Sequence, residues 1–458
     1  AARRGLSVVI AVLVARAMTV DDFGRFGLAL ALSGIFEVVG NFGLTSLLTR
    51  QVATDPAQGG DSFGLVLGVK LWLGLAASAA MIGFGALMGY HDATWWAVVL
   101  AAGIVWGNTL DATGIALFDG YQRMDFAAIS TLARSAVLLL SVLLVVWRHW
   151  GLPGIIGAYL FNAWFAAAFT LWLARARLPG LRLRPRWAGS LRLLRQAVPF
   201  LAIGFVWVVT FRVDMVMLES MTDEVSVGLY RSGYAFFELL LALPILTTRA
   251  LYPALSAGLA DSPERWRELL TAALRIFWMI ALPISVGSLL VGARIVPLFY
   301  GEKYAAGGTV LALLGSFLWL WFGTMTFGWA LTAADRLGVV LAGNVTSMTV
   351  NILANLALIP RLGFYGSALA TVLSEVTLLA IFAVAIQRSL GGFSRHFFPW
   401  RALPAVGALA LSTWLLRSAN LALVIGVGAA VYVAAIVLGR ALNERERDIL
   451  WRLARREG

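Results

Sequence analysis

The sequence predicts an all-α integral membrane protein. It has about fourteen transmembrane helices, grouped as two pseudo-symmetric six-helix lobes plus two C-terminal helices. Three observations predict it. The 458 residues are 60% hydrophobic and only 13% charged, where a soluble domain carries about 25% charge. Apolar runs of about 20 residues, enough to cross a bilayer, recur with no soluble domain between them. The pattern of turn and polar residues in the first half of the chain also returns in the second.

In chain order the spans are expected at 4–18, 26–49, 64–88, 95–118, 127–147, 153–174, 196–218, 227–252, 271–299, 307–333, 338–360, 364–387, 401–417 and 421–440. The first is short for a bilayer, which puts Arg3 and Arg4 either a turn inside it or on a cytoplasmic flank. Basic residues mark one side. The loop 175–195 holds Arg175, Arg177, Arg182, Arg184, Arg186, Arg192 and Arg195. Arg265, Arg267 and Arg275 follow in 253–275, then Arg388, Arg395 and Arg401, then the tail from Arg440. The opposing loops are poor in Lys and Arg, and the one from Glu219 to Glu224 is acidic. By the positive-inside rule both termini are cytoplasmic. The net charge of +12 therefore reads as membrane topology and gives no reason to expect nucleic acid. The tail reads equally as an interfacial amphipathic helix or a solvated charged segment.

The repeat sets the domain boundaries. Residues 117–158 run LFDGYQRMDF, an apolar span, then GLPGIIGA, and residues 331–368 run LTAADRLGVV, an apolar span, then GFYGSA. The spacing from Arg123 to Gly151 matches that from Arg336 to Gly363 within one residue, and Gly154 and Gly366 each follow three later. An earlier pair, DDFGRFGLALAL at 21–32 and DEVSVGLYRSGY at 223–234, corresponds as well. Each offset holds an even number of spans, so the halves share one orientation, as parallel repeats about the membrane normal do. The expected domains are a six-helix lobe at 1–178, a basic cytoplasmic linker at 179–195, a second lobe at 196–390, and two extra helices with a basic tail at 391–458.

Polar residues inside the spans are the candidate functional groups. A charge at the centre of a span costs about 2.5–3.5 kcal/mol on insertion scales and normally faces a bundle interior or watery cavity. Residues 205–256 carry Arg212, Asp214, Arg231, Glu238 and Arg249. Arg231 and Arg249 lie about five helical turns apart, with Glu238 within about 20° of the same line, so one face of that helix is polar throughout. Arg212 and Asp214 point to different faces and need separate partners. Glu37, Asn41 and Thr45 form a stripe on the second span. Asn108 and Asp111 lie on the fourth, and Ser130, Arg134 and Ser141 on the fifth. Asp111 and Arg134 read equally as ion partners across a hairpin or as functional groups. Asn344, Asn351 and Asn355 on the eleventh span, and Thr371 and Glu375 on the twelfth, read as interhelical hydrogen bonding. Lys70 and Arg249 are expected to snorkel to the cytoplasmic face and Arg231 to the opposite one. Trp319, Trp321, Phe322 and Trp329 are expected to pack within the bundle.

Several classes are excluded. The chain has no cysteine, and His91, His149 and His396 are too dispersed for a metal cluster. There is no GxxxxGK[ST] phosphate loop, and the loops are too short for a catalytic domain. No enzyme activity and no cofactor are expected.

The stretches ARAMTVDDFGRFGLALALSGIFEVVGNFGLTSLLTRQ at 15–51 and FRVDMVMLESMTDEVSVGLY at 211–230, with residues 297–385, resemble the bacterial polysaccharide repeat-unit flippases, the O-antigen and exopolysaccharide type. These belong to the multidrug/oligosaccharidyl-lipid/polysaccharide exporter superfamily. The resemblance implies two lobes forming a V, with helices one, two, seven and eight lining a central cationic cavity. Arg4, Arg16, Arg212, Arg231 and Arg249 are its candidate substrate-binding residues, joined by Arg134. It implies an undecaprenyl-pyrophosphate-linked glycan as substrate, membrane lipid as surroundings, and a polysaccharide polymerase and chain-length regulator as candidate partners. The implied location is the bacterial inner membrane. Coupling to H⁺ or Na⁺ is open, with Glu37, Asp111, Asp214 and Glu238 as candidate sites. A lipid II-type flippase, a multidrug cation exporter and a non-transporting scaffold of a polysaccharide-assembly complex are the alternatives. Cavity arginines would repel a cationic drug, and a scaffold has little reason to bear buried charge.

Overall fold

The computed structural model describes residues 2–178, 185–187, 189–249, 251–393 and 397–441. The described secondary structure is helical throughout: α1 (Ala2–Ala17), α2 (Val20–Asn41), α3 (Leu44–Thr54), α4 (Gly59–Leu87), α5 (Asp92–Gly120), α6 (Met124–Trp147), α7 (Gly151–Arg177), α8 (Ser190–Met221), α9 (Glu224–Arg249), α10 (Leu251–Asp261), α11 (Pro263–Tyr300), α12 (Ala305–Ser316), α13 (Leu318–Ala333), α14 (Leu337–Leu362), α15 (Phe364–Ser389), α16 (Leu403–Leu415) and α17 (Leu421–Leu438). Local chemistry sets several starts. Thr19 caps α2, accepting from the Asp22 N–H at 3.3 Å, with Asp21 and Asp22 in the first turn, where acids complement the helix dipole. Ser262 caps α11 ahead of Pro263, the position where proline forfeits no helical hydrogen bond.

The count of fourteen spans is not reached. Among the described residues eleven helices are long and apolar enough to cross a membrane, twelve if the bent pair α12–α13 is one span. The remaining two expected spans correspond to the shorter α1 and α16. Two expected continuous spans are broken. The 26–49 span divides because Phe42 and Gly43 both take left-handed conformations, φ 46° and 71°. A Cβ on Gly43 would lie 2.6 Å from the Phe200 Cβ and 2.7 Å from the Leu201 N, so α8 passes too close for a side chain. The 307–333 span bends by 43° at Phe317. Residues 251–261 form a helix rather than a connecting loop.

The chain divides into two compact units, Ala1–Gly228 and Leu229–Gly458. The boundary falls just inside α9. In the first unit α3, α4, α5, α7 and α8 contribute to a core that includes Leu44, Leu48, Phe63, Val66, Leu117 and Phe118. Burial of each such side chain is worth about 1.5–3 kcal/mol over an aqueous one, although in lipid the gain comes from packing and not from water release. In the second unit Trp266, Leu270, Leu274, Phe327, Leu331 and Phe382 form the corresponding core. There Trp321 packs edge-on to Phe237 at 4.8 Å, and Trp319 to Trp278 at 6.0 Å. Phe322 meets Phe277 at 6.0 Å, and Trp329 meets Tyr252 at 5.9 Å.

The repeated hairpins have the same backbone. In the first unit the α5–α6 turn places Gln122 at φ 57° and closes with Arg123 N–H donating to the Phe118 carbonyl at 2.8 Å. In the second, the α13–α14 turn places Asp335 at φ 56°, with Arg336 N–H to the Leu331 carbonyl at 2.8 Å. The glycines that follow, Gly151 and Gly363, have φ 60° and 55°, a conformation glycine adopts without steric cost.

Candidate functional site

The first unit holds a connected set of buried polar side chains. The stripe on α2 survives the break into α3: Thr45 Oγ1 donates to Asn41 Oδ1 at 3.1 Å, and Asn41 Nδ2 to Glu37 Oε1 at 3.5 Å. From α5, Asn108 Nδ2 donates to the other Glu37 oxygen at 3.2 Å. From α4, Lys70 Nζ donates to Asn41 Oδ1 at 2.7 Å, Thr45 Oγ1 at 2.8 Å and the Thr109 carbonyl at 3.4 Å. Lys70 is fully buried. The expectation that it snorkels is overturned, because three acceptors inside the bundle satisfy an ammonium that has three donors.

An ion pair joins α5 and α6. Asp111 is 6% exposed and accepts from Arg134 Nη1 at 2.9 Å, and from Thr170 Oγ1 on α7 at 2.7 Å. Arg134 is 38% exposed, so part of its donor fork faces outward from the pair.

Two helix N-termini meet at one end of the same unit. A Cβ on Gly24 would lie 1.8 Å from the Glu224 carbonyl oxygen, and one on Gly228 2.1 Å from that of Val20. Only glycine lets α2 and the first turn of α9 approach so closely. Arg25 bridges the acids there, reaching Asp21 at 3.1 Å, Asp22 at 3.0 Å and Glu224 at 3.6 Å. Thr94 Oγ1 donates to Glu224 at 3.2 Å, and the Tyr90 hydroxyl to Glu219 at 2.9 Å. Burial, reinforced by the Glu219 carboxylate, raises the Tyr90 hydroxyl well above the ordinary tyrosine value. Arg25, Tyr90, Thr94, Glu219 and Glu224 line a polar pocket of about 310 Å³. Sequence reasoning missed this junction. Asp21, Asp22 and Arg25 are neighbours on one helix, and nothing in the sequence links them to Glu224.

The other candidates are placed as follows. Arg212 on α8 is half-buried, its stem and Nε 3.8 Å from where a Cβ on Gly34 would sit, so it lies along α2. Asp214 is buried and accepts from the Met215 N–H at 2.8 Å. Arg16 and Glu238 are exposed and Arg231 is half-buried. The side chains of Arg4 and Arg249 lie outside the described residues, as do Arg182, Arg184, Arg395 and the tail from residue 442.

The second unit carries a different interior. Asn355 Nδ2 donates to the Asn351 carbonyl at 2.9 Å and to Asn351 Oδ1 at 3.0 Å, and Asn351 Nδ2 to Ser374 Oγ at 3.4 Å. Glu375 accepts from Thr324 Oγ1. The second unit also holds an apolar cavity of about 440 Å³, lined from α9, α11, α16 and α17 by residues such as Phe236, Leu240, Ile284, Leu409 and Val424. Among the described residues no group of His, Asp or Glu is arranged to hold a metal ion.

Residues 1–259 match the family described as "Polysaccharide biosynthesis protein". A stretch of 176 residues is 32% identical to the probable flippase AglR of Haloferax volcanii, covering 37% of this chain. The match spans 36% of that relative's length. Among solved structures, the lipid II flippase MurJ in its inward closed conformation is similar with a TM-score of 0.81 at 13% identity, over 98% of each chain. An inward-facing multidrug resistance MATE family transporter of the MOP superfamily is similar with a TM-score of 0.68 at 17% identity, over 85% of this chain and 95% of its own. These likenesses show a shared all-helical fold.

Proposed function

The chain belongs to the polysaccharide biosynthesis protein family, and from that premise we propose that it is a flippase for undecaprenyl-pyrophosphate-linked oligosaccharide repeat units. It moves them from the cytoplasmic to the periplasmic leaflet of the bacterial inner membrane by alternating access, with both termini cytoplasmic. A polar head of this kind cannot cross hydrocarbon unaided, because its hydrogen bonds to water have no replacement there.

The observation that carries the reading is a half-buried guanidinium, Arg212, on a membrane-spanning helix of such a chain. Its planar fork stays charged and donates in pairs, which suits pyrophosphate. Arg231 on α9 is half-buried as well, and Arg4, Arg16, Arg134 and Arg249 complete the proposed cationic set. The apolar cavity of about 440 Å³ supports a resting place for part of the prenyl chain. An interior-negative potential favours export, since each negative charge moved through 100 mV gains about 2.3 kcal/mol. Return of H⁺ or Na⁺ would couple at Glu37, Asp111, Asp214 or Glu238. A polymerase and a chain-length regulator are the proposed partners on the far side.

The test is transport by the full chain in proteoliposomes. A fluorescent prenyl-pyrophosphate oligosaccharide, a lipid II analogue and an organic-cation dye are offered in parallel. The reading expects movement of the prenyl-pyrophosphate oligosaccharide and its loss in Arg212→Ala. Movement of the cation dye alone overturns it, and preference for the lipid II analogue reassigns the cargo to cell-wall precursor.

A further inference from the structure

The polar network of the first unit contains a group that the transport reading does not use. Lys70 sits in the middle of α4, fully buried. Its three hydrogen-bond partners are neutral oxygens from three other elements: Asn41 Oδ1 at 2.7 Å at the end of α2, Thr45 Oγ1 at 2.8 Å on α3, and the Thr109 carbonyl at 3.4 Å on α5. Thr45 directs its own hydroxyl hydrogen at Asn41 Oδ1 and Thr113 Oγ1 donates to the Thr109 carbonyl at 2.9 Å. All three oxygens therefore turn lone pairs to the Lys70 nitrogen. Three acceptors around one nitrogen fit an ammonium with three N–H donors, whereas a neutral amine would need one donor among them.

The carboxylate that balances this charge is held one side chain away. Asn41 presents its oxygen to Lys70 and its Nδ2 to Glu37 at 3.5 Å, and Asn108 donates to the second Glu37 oxygen at 3.2 Å. The amide dipole thus lies between cation and anion with its negative end toward the cation. The further pair, Asp111 with Arg134, is made apart from the Lys70 cage, with Thr170 as the second donor to Asp111.

We propose that this oxygen cage is a monovalent-cation site whose occupant is covalently attached: the Lys70 ammonium is the resident cation of the first unit, counter-charged by Glu37 across the Asn41 amide. The ligand class of the emptied cage is a small monovalent cation with N–H donors, ammonium or methylammonium, for which the spacing and acceptor set are already built. The inference stands on this geometry alone and is independent of the transport reading. One consequence for that reading is that the first unit needs no dissociable ion to neutralise Glu37.

The test uses the purified full chain in detergent. Thermal unfolding of Lys70→Ala is measured in methylammonium chloride and in choline chloride at equal ionic strength, choline being too bulky for the cage. The expected result is a rise of about 1–2 °C in methylammonium over choline for Lys70→Ala when the cation is at about ten times its dissociation constant. The difference is absent in wild type and absent again when Asn41→Leu is added. Equal stability of Lys70→Ala in the two salts, or a gain that survives Asn41→Leu, overturns the proposal. Where Lys70→Ala does not fold, the uncharged isostere decides: Lys70→Met combined with Glu37→Gln is expected to be more stable than Lys70→Met alone. A double variant no more stable than the single one would break the link between the two charges.

Discussion

Gly24→Ala tests the closest approach in the first unit. The added Cβ would sit 1.8 Å from the Glu224 carbonyl oxygen and 3.0 Å from the Gly228 N. Both are backbone atoms, so no side chain can swing aside. Restoring an ordinary contact of 3.4 Å requires α2 and the first turn of α9 to part by about 1.6 Å. That separation carries the Arg25–Glu224 pair, now 3.6 Å, out of ion-pair range and strains the Thr94 bond to Glu224. Overpacking costs about 1–3 kcal/mol, and loss of a partly exposed pair adds up to about 1 kcal/mol. The expected loss is therefore roughly 1–4 kcal/mol. Gly83→Ala on α4 is the control, since a Cβ there meets nothing within 4 Å and helix propensity favours alanine by about 1 kcal/mol. Thermal unfolding of the two variants in detergent should separate them by several degrees, Gly24→Ala below wild type and Gly83→Ala at or above it. Equal melting of the two variants would refute the backbone contact.

Other perturbations follow from the same geometry. Asp111→Ala removes the shared acceptor of Arg134 and Thr170 and should cost about 2–3 kcal/mol, less than the roughly 3–5 kcal/mol of a fully buried broken pair because Arg134 keeps some exposure. A double-mutant cycle with Arg134→Ala should then return a coupling of at least about 0.5 kcal/mol. Tyr90→Phe should cost about 1 kcal/mol near neutral pH, the worth of one hydrogen bond, and should flatten the alkaline limb of stability. The Tyr90 value is raised in the folded state, so its contribution is full below the ordinary tyrosine value of 10.0 and is lost as pH climbs above it. Melting against pH for wild type and variant reads this directly. Arg212→Ala and Arg249→Ala should each abolish polymer output in cells while the protein still reaches the membrane, and normal output from both would remove the cationic-set reading.

Helix existence was legible from hydropathy, since every expected apolar run has a helical counterpart among the described residues. The breaks were not. Phe42 takes a left-handed conformation that phenylalanine rarely adopts, and the passage of α8 against the adjoining Gly43 brings together segments far apart in the chain. The α2 stripe was legible because i, i+4 spacing survives even across that break. Lys70 was not, for a physical reason. A long basic side chain on a spanning helix has two ways to satisfy its charge, by stretching to the interface or by finding oxygens inside. Sequence shows the stem but not the three acceptors, which come from separate elements. Glu224 at the Arg25 junction fails in the same way: a partner distant in sequence leaves no local periodicity.

The two halves of the chain share a frame and not an interior. The α5–α6 and α13–α14 turns agree in backbone conformation and in their closing hydrogen bonds, which the repeat required. Between those turns the first unit buries charge, in Glu37 with Lys70 and Asp111 with Arg134. The second meets the same demand for interhelical contacts chiefly with a neutral ladder of Asn351, Asn355 and Ser374, beside one buried carboxyl, Glu375, held by Thr324. A neutral amide ladder bears no insertion cost of the kind that each mid-span charge does, about 2.5–3.5 kcal/mol. Pure packing would therefore favour the second solution in both halves. That the first unit keeps four charged groups, each answered by a partner within the unit, argues that their charge serves something besides adhesion. Replacing Lys70 and Glu37 together by Met and Gln separates the two roles. The double variant should stay folded in the membrane, and any transport it then loses measures what the charges contribute beyond holding helices together.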